Sequence, residues 1–264
     1  MKEHWNTRKG TLLGISAIIA TIILWQAVAD LIVQNRFYLP SFTDVAGSFL
    51  DLVSRGTLLI DFEISLLHFA IGLGAALVTA VPLGVAMGWY RDFDRFINPI
   101  VEILRPVPPL AWIPFAIIWF GLTHESAGFV IFVGCFFPIL INTYTGFKSV
   151  PRVFVEAGKV LGCTRDISLI RYIAFPSAIP SITAGIRIAM GVGWMCLVAA
   201  ELFGAGGGKY GLGQKLWWYY NLHQTSNVVV YMLLLGLIGL VIDMVFRHYI
   251  EGRVERWRAG EVRT

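Results

Sequence analysis

Charged side chains are scarce in the apolar stretches of this chain, so the few that occur there are the first candidates for chemistry. Arg187, Gly191, Trp194, Val198 and Glu201 follow one another at intervals of four, three, four and three residues. That spacing stacks all five on one face of a helix. Arg187 and Glu201 are 14 residues apart, about 21 Å of helix, too far to pair with each other. An unpaired charge facing lipid costs at least about 2.5 kcal/mol, so this face is expected to turn into a bundle or a pore. Two uses fit. In one, Arg187 is an inner cationic station for an anion, Trp194 an aromatic constriction and Glu201 a group near an outer gate. In the other, each charge pairs with a neighbouring helix for structure alone, Arg187 through Glu102. Trp112 and Asn142 join these as candidate path residues, and Asp243 is read as a structural partner near the inner interface.

Nothing points to covalent catalysis. No serine–histidine, paired-carboxylate or HExxH arrangement lies in the apolar runs, so no catalytic residue is assigned. The histidines (His4, His68, His124, His223, His248) show no ligand spacing. The cysteines (Cys135, Cys163, Cys196) are odd in number and lack a CxxC, so neither a metal site nor a disulfide is expected. Gly206-Gly207-Gly208-Lys209-Tyr210-Gly211 fits G-x-G-x-x-G formally, but it follows an apolar span rather than a strand. It is no phosphate loop either, because Phe203 stands at the first glycine position and Tyr210 where Ser or Thr belongs. The chain therefore has no nucleotide pocket of its own. The segment reads as a flexible outer turn, followed by Trp217-Trp218-Tyr219-Tyr220, an interfacial aromatic belt.

The elements that must position these residues are membrane spans. Mean hydropathy is +0.69 and only 14% of residues are charged, against about 25% in soluble domains. Apolar runs of spanning length fall at about 12–33, 64–89, 98–120, 126–147, 178–203 and 227–249, which predicts six helices. The first resembles a signal peptide in its flanks, but at about 22 residues it is long enough to span, and is read as an uncleaved helix. With both termini inside, 16 Lys and Arg lie in inner segments and 4 in outer ones, as the positive-inside rule requires. No basic stripe with interleaved aromatics suggests nucleic acid. Between the first two spans, Val45, Phe49, Leu52 and Val53 recur at helical spacing behind Ser41 or Thr43 as cap. This predicts an amphipathic helix on the outer interface, with Asp51 and Arg55 in water. Gly72, Gly74, Gly84 and Gly88, with Ala76 and Ala80, suit close helix contacts in the second span. The third span opens with four prolines between Pro106 and Pro114, which no unbroken helix accommodates. Either irregular backbone sits at membrane depth, shielded by protein or a cavity, or this is a lead-in and the helix begins near Ala111.

The segment from Glu156 to Pro180 is polar, cationic and lies between two spans. A helical pattern from Val153 to Leu161 ends at Gly162, a C-terminal cap residue. Thr164 can cap a second short helix running to about Tyr172, with Asp166 in its first turn. The result is a helix–glycine–helix hairpin whose apolar residues (Val155, Leu161, Ile167, Ile170) have no lipid to face and are free for a partner groove.

These residues resemble the signature of the permease subunits of binding-protein-dependent ATP-driven importers: Glu-Ala-Ala, a glycine four residues on, then Ile-x-Leu-Pro. Here it reads Glu156-Ala157-Gly158, Gly162 and Ile173-Ala174-Phe175-Pro176, with Gly158 for the third alanine and Phe175 for leucine. Leu39-Pro40-Ser41, the run from Arg105 to Pro114, Trp119-Phe120-Gly121, Phe137-Pro138-Ile139, Asn142-Thr143, Gly185-Ile186-Arg187 and Ala200-Glu201 resemble the branch importing nitrate, taurine, sulfonates and bicarbonate. The resemblance implies an all-α membrane protein with six transmembrane helices of the type I importer permease fold, an outer interfacial helix and a cytoplasmic coupling hairpin. It implies an N-terminal helix plus interfacial helix over 1–60, a permease domain over 61–249 with its coupling loop at about 151–176, and a cytoplasmic tail from 250. Glu156, Ala157, Gly158, Leu161, Gly162, Thr164, Arg165, Ile173 and Pro176 would carry coupling to an ATPase.

The implied partners are two ATP-binding subunits that hold the ATP and magnesium, a second permease copy forming a homodimer, an extracytoplasmic solute-binding protein and membrane lipid. No cofactor would bind this chain, which would lie in a bacterial or archaeal inner membrane. The solute is expected to be a small anion. A secondary transporter driven by an ion gradient is the alternative; it would not need the hairpin and would be expected to show inverted repeats.

Overall fold

The structure, a computed structural model, describes residues 2–204 and 210–252. Gly206 to Lys209 of the glycine-rich turn, and the tail beyond 252, lie outside the described residues. Every regular element described is helical. In order these are α1 (Lys2–Ala27), α2 (Phe42–Ser54), α3 (Thr57–Trp89), α4 (Arg91–Leu104), α5 (Ile113–Phe120), α6 (His124–Lys148), α7 (Arg152–Val160), α8 (Asp166–Leu169), α9 (Phe175–Leu202), α10 (Leu212–Asn221) and α11 (Thr225–Phe246). Two compact units emerge, one of Met1–Ile60 with Lys215–Leu235, the other of Asp61–Gln214 with Gly236–Thr264.

Among the described residues, five helical runs are long and apolar enough to cross a bilayer: Leu13–Val33, Thr57–Trp89, His124–Lys148, Asp166–Leu202 and Thr225–Ile250. The sixth expected span is not one helix. Arg91–Leu104 and Pro109–Phe120 meet at an angle of 86°, so the run expected at 98–120 is interrupted at its proline cluster, the first of the two arrangements weighed for it. The cause is in the prolines. The ring of Pro109 holds the residue before it, Pro108, at an extended ψ of 132°, while Pro109 and Pro114 sit in the first turns of the 3-10 segment Pro109–Trp112 and of α5, where a missing N–H leaves no bond unmade.

In the first unit, Ser41 caps α2 through a reciprocal box. The Asp44 N–H donates to Ser41 Oγ at 3.2 Å, and the Ser41 N–H donates to Asp44 Oδ2 at 3.1 Å. The Ser41 hydroxyl, with Arg36 also in contact, holds the Asp44 carboxyl below the usual carboxylate range. Of the expected apolar stripe, Val45 and Leu52 are buried, whereas Phe49 and Val53 are exposed. Asp51 and Arg55 pair with each other at 2.8 Å on the exposed side. Trp25 Nε1 donates to the Pro40 carbonyl at 3.0 Å and its ring meets Phe42 edge-on, fastening α1 to α2. Further along the chain, Thr225 Oγ1 donates to the Phe37 carbonyl and His223 stacks on the Phe37 ring.

The core of the second unit lies where α3, α6 and α9 meet. Lipid tails are as apolar as leucine, so close van der Waals contact rather than water exclusion must hold such helices together. Gly72, Gly84 and Gly88 provide it on α3. A Cβ at Gly72 would lie 2.5 Å from Ile131 Cβ, one at Gly84 2.7 Å from Thr143 Cβ, and one at Gly88 2.4 Å from Phe147 Cβ. Gly74, expected with them, has nothing within 4 Å and faces away. Across α6 and α9 the fit is reciprocal. Cys196 Sγ fills the space over Gly134, and Cys135 Sγ the space over Gly193. Both thiols are free and buried, filling space as small apolar groups do.

Candidate functional site

The hairpin between α6 and α9 differs from expectation at one end. Its first helix, α7, closes as foreseen: Cys163 N donates to the Gly158 carbonyl at 2.9 Å and Gly162 N to the Lys159 carbonyl at 3.1 Å. Gly162 stands at φ +99°, completing a Schellman turn that needs glycine. Thr164, however, caps nothing. The cap position of α8 belongs to Arg165, without a side-chain bond. Nor does a separate second helix end near Tyr172, because α8 runs through a π-helical stretch, Ile170–Ala174, straight into α9. Ile173 and Pro176 are thereby part of one 37-residue helical run, and Ile173 holds α7 to it.

Gly158 is the contact point. A Cβ there would fall 2.0 Å from Ile173 Cδ1 and 3.3 Å from Leu169 Cδ2. Glycine at this position lets α7 press against α8 and its continuation. The opposite side is open, with Val160 87%, Leu161 85% and Ile167 75% exposed. Val153 and Phe154 are exposed as well, whereas Val155 and Ile170 of the expected apolar face are half-buried. Glu156 and Ala157 are exposed.

The proline break opens a cleft of about 340 Å³ between the 105–109 segment, α6 and α9. Arg105 at the end of α4 and Asn142 on α6 are its polar members, and Val107, Phe137, Ile188 and Val192 line its apolar wall. Asn142 Nδ2 donates to the Pro138 carbonyl at 2.9 Å, a fixed orientation that leaves its carbonyl oxygen out of that bond. Trp112 sits in an aromatic group with Phe115, Trp119 and Phe129. Its indole Nε1 is buried with no hydrogen-bond partner among the described residues. The α4 segment is tied to the far end of α6 by Asp94, which accepts from Tyr144 Oη at 2.9 Å and lies 3.6 Å from Lys148 Nζ.

Arg187 and Trp194 open on a second cleft, of about 280 Å³, with Gly191, Gly239 and Asp243. Arg187 Nε donates to Asp243 Oδ1 at 2.9 Å and Nη2 to Oδ2 at 3.3 Å, a bidentate pair. Its carboxylate partner is therefore Asp243 on α11, a correction to Glu102, which instead accepts from Asn98 on its own helix at 2.7 Å. Arg247 also reaches Asp243 at 3.1 Å. Trp194 packs over Gly239, where a Cβ would lie 3.1 Å from the indole nitrogen, and meets Phe69 edge-on.

Glu201 lines neither cleft. It is fully buried, together with Ser65 and His68. The Ser65 hydroxyl donates to it at 2.8 Å and the Gly213 N–H at 2.8 Å, and His68 Nδ1 lies 2.8 Å from Oε1. His68 Nε2 is in turn 2.7 Å from His124 Nδ1. Sequence reasoning missed these partners, since Ser65 and His68 lie more than 130 positions from Glu201. One signal was available: a carboxylate inside a span demands donors, and His68 is the polar ring inside the second span.

A model of the inner-membrane component of binding-protein-dependent transport systems matches residues 80–256. A Methanocaldococcus jannaschii protein assigned as an ABC transporter permease is 39% identical over 96% of this chain and 94% of its own length. The taurine transport system permease protein TauC of Escherichia coli is 31% identical over 99% of this chain and 95% of its own. A chain of the MetNI methionine ABC transporter in an inward-facing conformation superposes with a TM-score of 0.64, covering 75% of this chain and 97% of that one, at 19% identity. The fold is thus that of a type I importer permease. With most of its length matched by the family model and by relatives of its own size, this chain belongs to the inner-membrane permease components of binding-protein-dependent ABC transport systems.

Proposed function

We propose that two copies of this chain form the transmembrane path of an ATP-driven importer of a small organic anion. Hydrolysis is done by two ATP-binding subunits docked on the hairpin, and an extracytoplasmic receptor delivers solute at the opposite end. The observation that carries this reading is the hairpin itself. It bears three apolar side chains exposed by 75% or more, on a turn locked by Gly162 and braced through Gly158. Apolar residues held rigidly in that way fit a groove on a partner. The hairpin lies on the side richest in Lys and Arg, which by the positive-inside rule is the cytoplasm, where ATP is, and both termini would share it. Nothing among the described residues favours coupling to an ion gradient.

The anion follows from the larger cleft. One guanidinium and one amide in an apolar wall suit a small solute with a single anionic head, and a broken helix lining a cavity is where a membrane protein places such a site. TauC, named for taurine, is a relative of matching length, and taurine carries a sulfonate of this kind. Arg187, neutralised by Asp243, serves structure more than solute.

Leu161→Asp tests the docking. The variant should insert and purify as a monodisperse permease yet lose co-purification with the ATP-binding subunit. Retention of the subunit at wild-type stoichiometry would overturn the assignment of the hairpin.

A further inference from the structure

The buried cluster around Glu201 holds the start of α10. Glu201 near the end of α9 takes three donors: the Ser65 hydroxyl, His68 Nδ1 and the N–H of Gly213. Ser65 Oγ also accepts from the N–H of Leu212 at 2.8 Å. Two successive amides at the start of α10 thus hang from one carboxylate and the hydroxyl beside it. The backbone sits directly on that carboxylate. A Cβ at Gly211 would lie 2.3 Å from Glu201 Oε1, and one at Gly213 2.9 Å from the Val198 carbonyl. Buried ion clusters are often no more stabilising than apolar residues of the same volume. What the cluster adds over apolar packing is an attachment that depends on charge.

The same cluster has a way in for a proton. His68 is fully buried, but His124, 2.7 Å away at the first residue of α6, is partly exposed. At 2.7 Å exactly one hydrogen fits between His68 Nε2 and His124 Nδ1. With both rings neutral, His124 donates to His68 and His68 donates to Glu201. If His124 takes a proton from water on Nε2, it can pass its Nδ1 proton to His68 Nε2, and His68 its Nδ1 proton to Glu201 Oε1. The net change is one proton moved from solvent to the carboxylate, with both rings neutral again. The bonds to Gly213 and Ser65 then lose their charge assistance, which roughly halves their strength. The other titratable groups on these segments are Asp61, buried one turn before Ser65, Glu63, exposed between them, Glu125, exposed beside His124, Tyr210 in the turn and Lys215 two residues after Gly213.

We propose that Glu201, Ser65 and His68 are positioning residues that clasp the start of α10 to the N-terminal half of α3 and the end of α9, and that His124 is the proton inlet through which acid slackens the clasp. This goes beyond the transport assignment and does not depend on the solute.

The test is amide hydrogen–deuterium exchange of the peptide covering residues 211–215. It is measured in the permease–ATPase complex in nanodiscs at pH 8 and pH 5, histidine's titrating range, with each rate divided by the intrinsic rate at that pH. In the wild type, protection should fall about tenfold from pH 8 to pH 5. Glu201→Gln, whose amide nitrogen must face a donor, should be poorly protected at both values. His124→Gln can donate to His68 but does not titrate, and should keep its protection at pH 5. Should Glu201→Gln fail to fold, the wild type and His124→Gln still decide the matter. Wild-type protection that ignores pH would overturn the proposal, and so would an unchanged acid loss in His124→Gln.

Discussion

Gly162 and Gly158 answer to different forces. Gly162 has no neighbour within 4 Å of a would-be Cβ, so its constraint is conformational, a φ of +99°. A β-branched residue there pays on the order of 1–2 kcal/mol of backbone strain, and the apolar end of α7 swings out of register. Gly162→Val should leave insertion and basal ATP hydrolysis intact while receptor-stimulated uptake in proteoliposomes drops at least tenfold. Gly158 is constrained by space, but chiefly by Ile173 Cδ1, the far end of a side chain that can rotate. The methyl of alanine also adds up to about 1 kcal/mol of helix propensity. Gly158→Ala should therefore transport within twofold of wild type, while Gly158→Leu, which no rotation accommodates, should not.

At the level of elements, the α3–α6 contact is set by glycines that share a helix but not a fate. A methyl at Gly84 would meet Thr143 Cβ at 2.7 Å and the Leu140 carbonyl at 2.9 Å, neither of which can swing aside. Overpacking of this kind typically costs 1–3 kcal/mol. At Gly74 the space is empty, and alanine gains up to about 1 kcal/mol of propensity. Thermal melts in detergent should show Gly84→Ala falling by several degrees and Gly74→Ala unchanged or higher. Equal midpoints would mean that helix spacing, not glycine contact, governs this interface. The sequence marked out all four glycines but could not say which faced α6. A stripe of small residues reveals that a helix is approached closely, while the rotation of that helix is fixed only by what it packs against.

At the scale of the whole molecule, transport needs a route that changes exposure, and the proposed one runs by the larger cleft beside the 86° break. If Arg105 there contacts the anionic head of the solute, its loss removes a charge-assisted hydrogen bond worth about 1.5–3 kcal/mol. Arg105→Gln should raise the KM for an anionic solute tenfold or more. Arg105→Lys should recover part of that, and ATP hydrolysis in the absence of receptor should not change. Uptake with an unaltered KM in both variants would move the solute route away from this cleft.

What sequence alone determined is what chain-local physics controls. The apolar runs, the proline cluster that had to interrupt a span, the Ser41 cap, the turn at Gly162 and the excess of cations at one side all rest on residues within a turn or two of each other. The hairpin's second half was misread because Thr164 met every local criterion for a cap, whereas Leu169 and Ile173 packing against Gly158 carried the helix on into α9 instead. Partner choice was decided by the tertiary structure alone. Arg187 had several carboxylates within plausible reach, and only the packing of α9 on α11 selected Asp243. Glu201 required donors, and only the meeting of α3, α6 and α9 brought Ser65 and His68 to it, with His124 beyond. A buried charge announces in the sequence that it must be satisfied, but which groups satisfy it depends on which helix faces touch.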